Sequence, residues 1–373
     1  MRKVLIALLS ICVVAIAIGR GAESLLGQAP RLSTRPVPKE YPNPARPETI
    51  PLKTFPVKFD KEYGAAIARL GEGKYGEGRL VQMDATLVEL PPGGTLPAHK
   101  HLYEEMIYIV SGKGYTNIWP AGSNGAAKKK RYDWSATDVL SPSLNAWHET
   151  VNASSTEPAR FVVMTAAPLL RRMFGDISFA TKSDQVFEDR WNKGLQEPKY
   201  LERPGRNGGK VDMSLMSIGH FIPNMASMKM PIAFGDPTYP EEGINVVPPT
   251  DASKGSDALG GMAGNRMFEW QNREYIIDKA GTHELGTHHH SWEVVYICPK
   301  GDMETYLTPL GKGQTKRTIK WSEGDLMITE ADEIHQHYSE HKGTRFLQFK
   351  LSGYFRGVGI GGVDAGGDGV SGG

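Results

Sequence analysis

Apolar and β-branched residues come in short runs along the chain. The clearest in the first half are Leu80 to Leu90, Met106 to Val110 and Phe161 to Thr165. In the second half they are Glu274 to Asp278, Val294 to Cys298, Asp325 to Thr329 and Arg345 to Leu351. Each run has strand length. Pro91-Pro92-Gly93-Gly94 and Ser111-Gly112-Lys113-Gly114 mark turns between them. Helical spacing is evident from Asp184 to Leu195, where Val186, Phe187, Trp191 and Leu195 fall roughly on one face. The pattern predicts an all-β protein with one short helix.

The second set of runs echoes the first. Glu105 to Val110 reads like Glu293 to Cys298, and Trp134 to Leu140 reads like Trp321 to Met327. Asp138 and His148 stand ten residues apart, and so do Asp325 and His335. Internal duplication of one all-β unit accounts for both coincidences.

The ends of the chain carry different signals. Arg2 and Lys3 precede a charge-free run from Val4 to Ile18, shorter than a comfortable bilayer span. The expectation is an export signal over residues 1–29, with the uncleaved membrane anchor as the alternative, since Pro30 would follow the cut. Eight prolines between residues 30 and 56 predict an extended arm over 30–60. Residues 61–180 and 266–353 then form the two strand-rich units. Residues 181–265 hold the helix and the linker, with a loop-like stretch at 203–210 and little periodicity in 235–265. Ten glycines in the last 21 residues predict a disordered tail over 354–373.

Composition adds few constraints. The chain has 373 residues, 39% hydrophobic and 23% charged, and a net charge of +1. That balance offers no nucleic acid a basic face, and the run Lys128 to Arg131 reads as a solvated hairpin. Cys12 lies in the signal segment, so Cys298 has no partner for an internal disulfide and reads as core packing.

The candidate chemistry lies in the first unit. His99 and His101 are two apart, so a strand points both to one face. A turn before Glu105 would bring its carboxylate beside them. His148 follows Pro142 and Asn145, and Asn145 tolerates a left-handed backbone. Three imidazoles and a carboxylate suit a divalent transition metal and leave positions open for substrate; Fe or Mn is favoured, and Cu, Ni or Zn would also fit. Glu104, beside the set, is a candidate for proton transfer. In the second unit the candidates are His288, His290, Glu293 and His335. Their spacing is irregular, because Glu293 follows His290 one residue too soon. If Glu293 takes the place of Glu105, then His289 takes that of His101 and Thr287 that of His99. His220, His283, His337 and His341 fit neither set and read as satisfied or surface histidines.

The string Gly93, His99, His101, Glu105, Gly112 resembles the first signature motif of the cupin superfamily at every position. Asp138, His148 and Asn152 resemble part of the second, with Thr137 in place of its leading glycine. The duplicated chain resembles the bicupins, a group with gentisate-type dioxygenases, quercetinases and oxalate decarboxylases. The resemblance implies two tandem jelly-roll barrels, each with its site inside. It implies a small-molecule substrate and does not choose the reaction. A metal-dependent dioxygenase acting on an aromatic or enol compound is the leading expectation. An oxalate-decarboxylase-like lyase and a non-catalytic metal- or ligand-binding cupin are the alternatives. Export to the periplasm or beyond, and association into a homo-oligomer, complete the expectations; membrane association follows if the signal stays uncleaved.

Overall fold

The computed structural model describes residues 48–71, 80–122, 124–197, 199–204, 210–216, 219–228, 244–247, 262–275, 278–281, 288–308, 317–357 and 363–365. The signal segment, residues 30–47 of the arm, Thr287, His283 and most of 235–265 lie outside these residues.

Alternation along each central strand sets the architecture. In Glu105–Ser111, Ile107 and Ile109 join a cluster with Val88, Phe161, Val163 and Leu140. Met106, Tyr108 and Val110, on the opposite face, join a cluster with Val295, Ile297, Leu347 and Phe349 of the second unit. Water meets neither face, which is why the run is continuously apolar rather than alternating.

Two large antiparallel sheets result. The first runs Val139–Leu140, Glu105–Ser111, Ala159–Thr165, Asp84–Leu90, Ala65–Arg69 and Lys58–Asp60. The second runs Asp325–Thr329, Val294–Lys300, Arg345–Lys350, Glu269–Tyr275 and Ile244–Val247, in the same order. A smaller sheet belongs to each unit: Thr95–His99, Trp147–Asn152, Lys113–Trp119 and Lys130–Ser135 in the first. In the second it is Arg317–Ser322, Asp302–Thr308, Ile334–Ser339 and His288–His290, with Val363–Ala365 beyond. Each unit is thus a two-sheet barrel with its own interior core, and the two large sheets share the third core between them.

Each barrel also borrows a strand from the segment that precedes the other. Thr49–Pro51, ahead of the first barrel, pairs with Asp325 to Met327 of the second. Phe221–Ile222, ahead of the second barrel, pairs with Val139 and Leu140 of the first. The proline-rich arm therefore does not stay a free extended segment: its last part is a sheet strand, with Leu52 donating to Gly324 O at 2.9 Å.

Other local expectations change in detail. The helix is Glu188–Gly194, and a second one, Ala167–Phe174, begins with Pro168 in its first turn. Of the loop-like 203–210 stretch, residues 203, 204 and 210 belong to strands, Lys199–Pro204 pairing antiparallel with Lys210–Met216, and 205–209 lie outside the described residues. The expected disordered tail is partly ordered: Ser352–Gly357 is helical and Val363–Ala365 pairs with His288–His290. The basic run sits in a surface hairpin, where Lys129 lies 4.1 Å from the Trp119 ring and Arg131 is 3.8 Å from the Tyr115 ring. Cys298 is a buried free thiol, its pKa pushed up to about 12 by burial.

Candidate metal centre

Three separate elements deliver the first cluster. His99 ends Thr95–His99, His148 lies in Trp147–Asn152, and the two are register partners across that strand pair. His101 follows in the turn, and Glu105 opens the next strand of the opposite sheet. Asn145 makes the approach to His148 with a φ of 59°, as its side chain type allows. Its N–H donates to His101 O at 3.0 Å, which ties the two histidine segments together. The four donor atoms lie within 4.8 Å of one another.

The hydrogen bonds fix which nitrogen faces inward. The Nδ1 of His99, His101 and His148 reach the carbonyls of Pro97, Tyr103 and Ala146 at 2.8, 2.8 and 3.0 Å. An Nδ1–H donor leaves a bare Nε2 lone pair on each ring, an assignment inferred from these partners. His101 Nε2 then faces Glu105 Oε2 at 3.1 Å, and His148 Nε2 faces Oε1 at 3.4 Å. Acceptors held face to face call for a cation between them. His148 Nε2 is buried and receives no hydrogen bond. The residues therefore fit a divalent metal.

Electrostatics point the same way. Burial pushes the Glu105 carboxyl up, but His148, His101 and His99 more than offset it and hold it at about 2. Burial draws His148 down to about 3, and it also lowers His99. Near neutral pH His99 and His148 are therefore neutral donors beside an ionised Glu105, an arrangement that suits a cation.

The second barrel holds the same triangle of rings. His288, His290 and His335 are separated by 5.7, 4.9 and 4.3 Å between centroids, against 5.9, 5.2 and 4.1 Å for His99, His101 and His148. His290 Nδ1 reaches Trp292 O and His335 Nδ1 reaches Glu333 O, as their counterparts do. Trp292 stacks on His290 as Tyr103 stacks on His101. Glu293 does not join these histidines. Both of its oxygens accept from Val81 N, and Oε2 also from Gln82 N, at 2.7 to 2.8 Å.

The registers explain the departure. Glu105 pairs with Thr165 and Ile107 with Leu140 in the first barrel. Val294 pairs with Lys350 and Tyr296 with Met327 at the corresponding places in the second. The structural counterpart of Glu105 is thus Val294, and Glu293 matches Glu104. Aligning Glu293 with Glu105 is wrong by one residue, and in a strand that slip turns every side chain to the other face. Tyr108 lies between the barrels while Tyr296 lies inside one. The tyrosine hydroxyl reaches His335 Nε2 at 3.1 Å, a neighbour the sequence pairing of Tyr108 with Tyr296 concealed.

Residues 86–165 match the cupin domain family. Among solved structures, the chain resembles salicylate 1,2-dioxygenase from Pseudoaminobacter salicylatoxidans in an adduct with gentisate. The identity is 15%, with a TM-score of 0.56 over 85% of this chain and 81% of that one. The fold is cupin-like, with two barrels in tandem. A variant of the same dioxygenase bound to gentisate gives 14% identity and a TM-score of 0.53 over 85% and 81%. Oxalate decarboxylase from Lactobacillus farciminis, as a formate complex, gives 12% and 0.47 over 82% and 86%. No curated protein matches the chain.

Within this two-barrel fold Glu104 is placed away from proton transfer. Its Oε1 accepts from Arg190 and Arg266 N at 2.6 Å, and its Oε2 from Met267 N and Phe268 N at 2.7 and 2.9 Å. A buried carboxylate so fully engaged locks the barrels together and has no lone pair left for a substrate proton. Of the remaining histidines, His220 is enclosed by Ser143 and Tyr132, His337 meets Thr305, and His341 is exposed.

Proposed function

We propose that this protein is an exported, metal-dependent bicupin oxidoreductase, a dioxygenase acting on an aromatic or enol-type small molecule. The carrying observation is the His99, His101, Glu105 and His148 cluster, half-buried at His99 and buried at the other three, whose four donors converge within 4.8 Å. A divalent ion held there, Fe or Mn in the first instance, would supply Lewis acidity and a place for oxygen and substrate to meet. The chain's own part is to hold three imidazoles in one tautomer, keep Glu105 ionised and exclude water. The core of the same barrel is apolar, with Ile107, Val163, Phe161 and Val88 among its members. The salicylate and gentisate named for the resembling structures give the first compounds to test.

A lyase of the oxalate-decarboxylase kind is the second reading, favoured by the histidine triangle in both barrels. Val294 weighs against it, because the second triangle lacks the carboxylate of the first.

The test is oxygen consumption by metal-loaded protein with gentisate, salicylate and enol acids, alongside elemental analysis. Uptake that disappears in His101→Ala together with the metal supports the dioxygenase. Carbon dioxide from oxalate without net oxygen uptake would replace it with the lyase.

A further inference from the structure

One interior strand is closed in the second barrel and partly open in the first. Ala85 and Leu87 of Asp84–Leu90 join the core between the barrels, so Asp84, Thr86 and Val88 point into the first barrel. Val88 is fully buried, yet Asp84 and Thr86 are partly exposed. By register the matching residues of the second barrel are Glu269, Gln271 and Arg273, and all three are buried. Inward-facing residues that keep part of their surface exposed line an opening.

The same register carries that opening to the first metal centre. Asp84 pairs with Thr165, and Thr165 with Glu105, so the three side chains form one row across the sheet. Thr165 N and Oγ1 donate to Asp84 Oδ1 at 3.0 and 2.7 Å. Asp84 Oδ2 has no hydrogen-bond partner among the described residues. Tyr103, stacked on His101, and Tyr63, packed against the barrel's core, are also partly exposed. Their hydroxyls have no hydrogen-bond partner among the described residues either. Burial raises the pKa of both phenols, and the nearby charges of Glu105 and Asp84 raise it further. Burial likewise pushes the Asp84 carboxyl up to about 6, against the pull of its two bonds from Thr165. Near neutral pH it is mainly a carboxylate.

The edge of the opening is thus rich in negative charge. Arg171, whose charge reaches Asp84 and Tyr103, is exposed and forms an ion pair with neither among the described residues. An ionised carboxylate accepts hydrogen bonds and cannot donate one, so its free oxygen suits a hydroxyl. It repels a second carboxylate.

We propose that Asp84 sets the specificity of the first centre, its free Oδ2 accepting a hydroxyl of an uncharged small molecule that lies between Tyr63 and Tyr103. This deepens the dioxygenase reading and rests on it for the choice of the first centre, while the preference in binding holds whatever oxygen then does.

Salicylamide and salicylate differ chiefly in charge, so calorimetric titration of zinc-loaded protein with each tests this without turnover. The expected result is that wild type binds salicylamide more tightly than salicylate. Asp84→Asn keeps the Oδ1 that Thr165 needs and loses the charge. Its ratio of the two affinities is expected to fall at least tenfold toward salicylate, with metal content unchanged by elemental analysis. A purely structural role for Asp84 would lower both affinities together and leave the ratio alone. Tyr63→Phe, with Asp84 intact, keeps the preference for salicylamide. The proposal is overturned if wild type binds neither compound or prefers salicylate, a result that needs no variant. It is equally overturned if folded, metal-loaded Asp84→Asn keeps the wild-type ratio. Absence of oxygen uptake with any substrate would overturn the dioxygenase and leave these affinities as they are.

Discussion

Glu104 and Glu293 occupy the same place in the two barrels, and each carboxylate grips the main chain of the other. Glu104 takes the N–H groups of 266, 267 and 268, and Glu293 takes those of 81 and 82. Both clamps close on the residues just ahead of the second interface strand of the opposite barrel. Removing one acceptor leaves several buried donors without a partner. Glu104→Ala is expected to destabilise the protein by about 3–5 kcal/mol, since it also leaves the half-buried Arg190 without its counter-charge. Chemical denaturation reads the loss, and elemental analysis on the folded fraction should show the metal still bound. A loss of metal with unchanged stability would return Glu104 to the centre.

Glu105 supplies the negative charge of the first cluster. Glu105→Gln keeps the shape and removes that charge, so metal affinity should fall by at least about tenfold. Competition with a chelator measures it. His101→Ala should lose the ion altogether, and metal content equal to wild type in both variants would deny the site.

Thr137 holds a φ of 71° where the second barrel has Gly324 at 91°. A β-branched residue is strained in that region, and the turn nonetheless requires it, because Thr137 N donates to Ile109 O and Thr137 O accepts from Met225. Thr137→Gly should raise stability by about 1 kcal/mol, the relieved strain less the extra freedom of glycine when unfolded. A thermal melt with unchanged metal content would show it.

His220 is buried between Ser143, Tyr132 and Trp191, and burial draws its pKa down to about 3. Below about pH 6.5 the unfolded chain takes up a proton that the folded chain refuses until about pH 3, so stability falls as pH falls through that window. The slope from this one group approaches about 1.4 kcal/mol per pH unit. His220→Gln should flatten the decline between pH 6.5 and 4, measured by denaturation at each pH. An unchanged slope would mean that other groups dominate.

The sequence by itself determined a good deal. Strand-length apolar runs and the repeated ten-residue interval from Asp138 to His148 and Asp325 to His335 were enough for two all-β units. The spacing of His99, His101, Glu105 and His148 was enough to name the first cluster, although only His99 of the first pair lies on the strand and His101 reaches the same point from the turn after it. What the sequence could not determine was which neighbour each face would meet. Glu293 looks like a ligand beside His290 and is a clamp on the other barrel, because a one-residue change of register reverses a strand's faces. Thr49–Pro51 looks like free arm and pairs with Asp325–Thr329. Arg273 and Lys350 look like the charged residues of any strand and line a barrel interior. Local spacing fixes which side chains travel together, and only the packing of the two large sheets on each other decides what they travel toward.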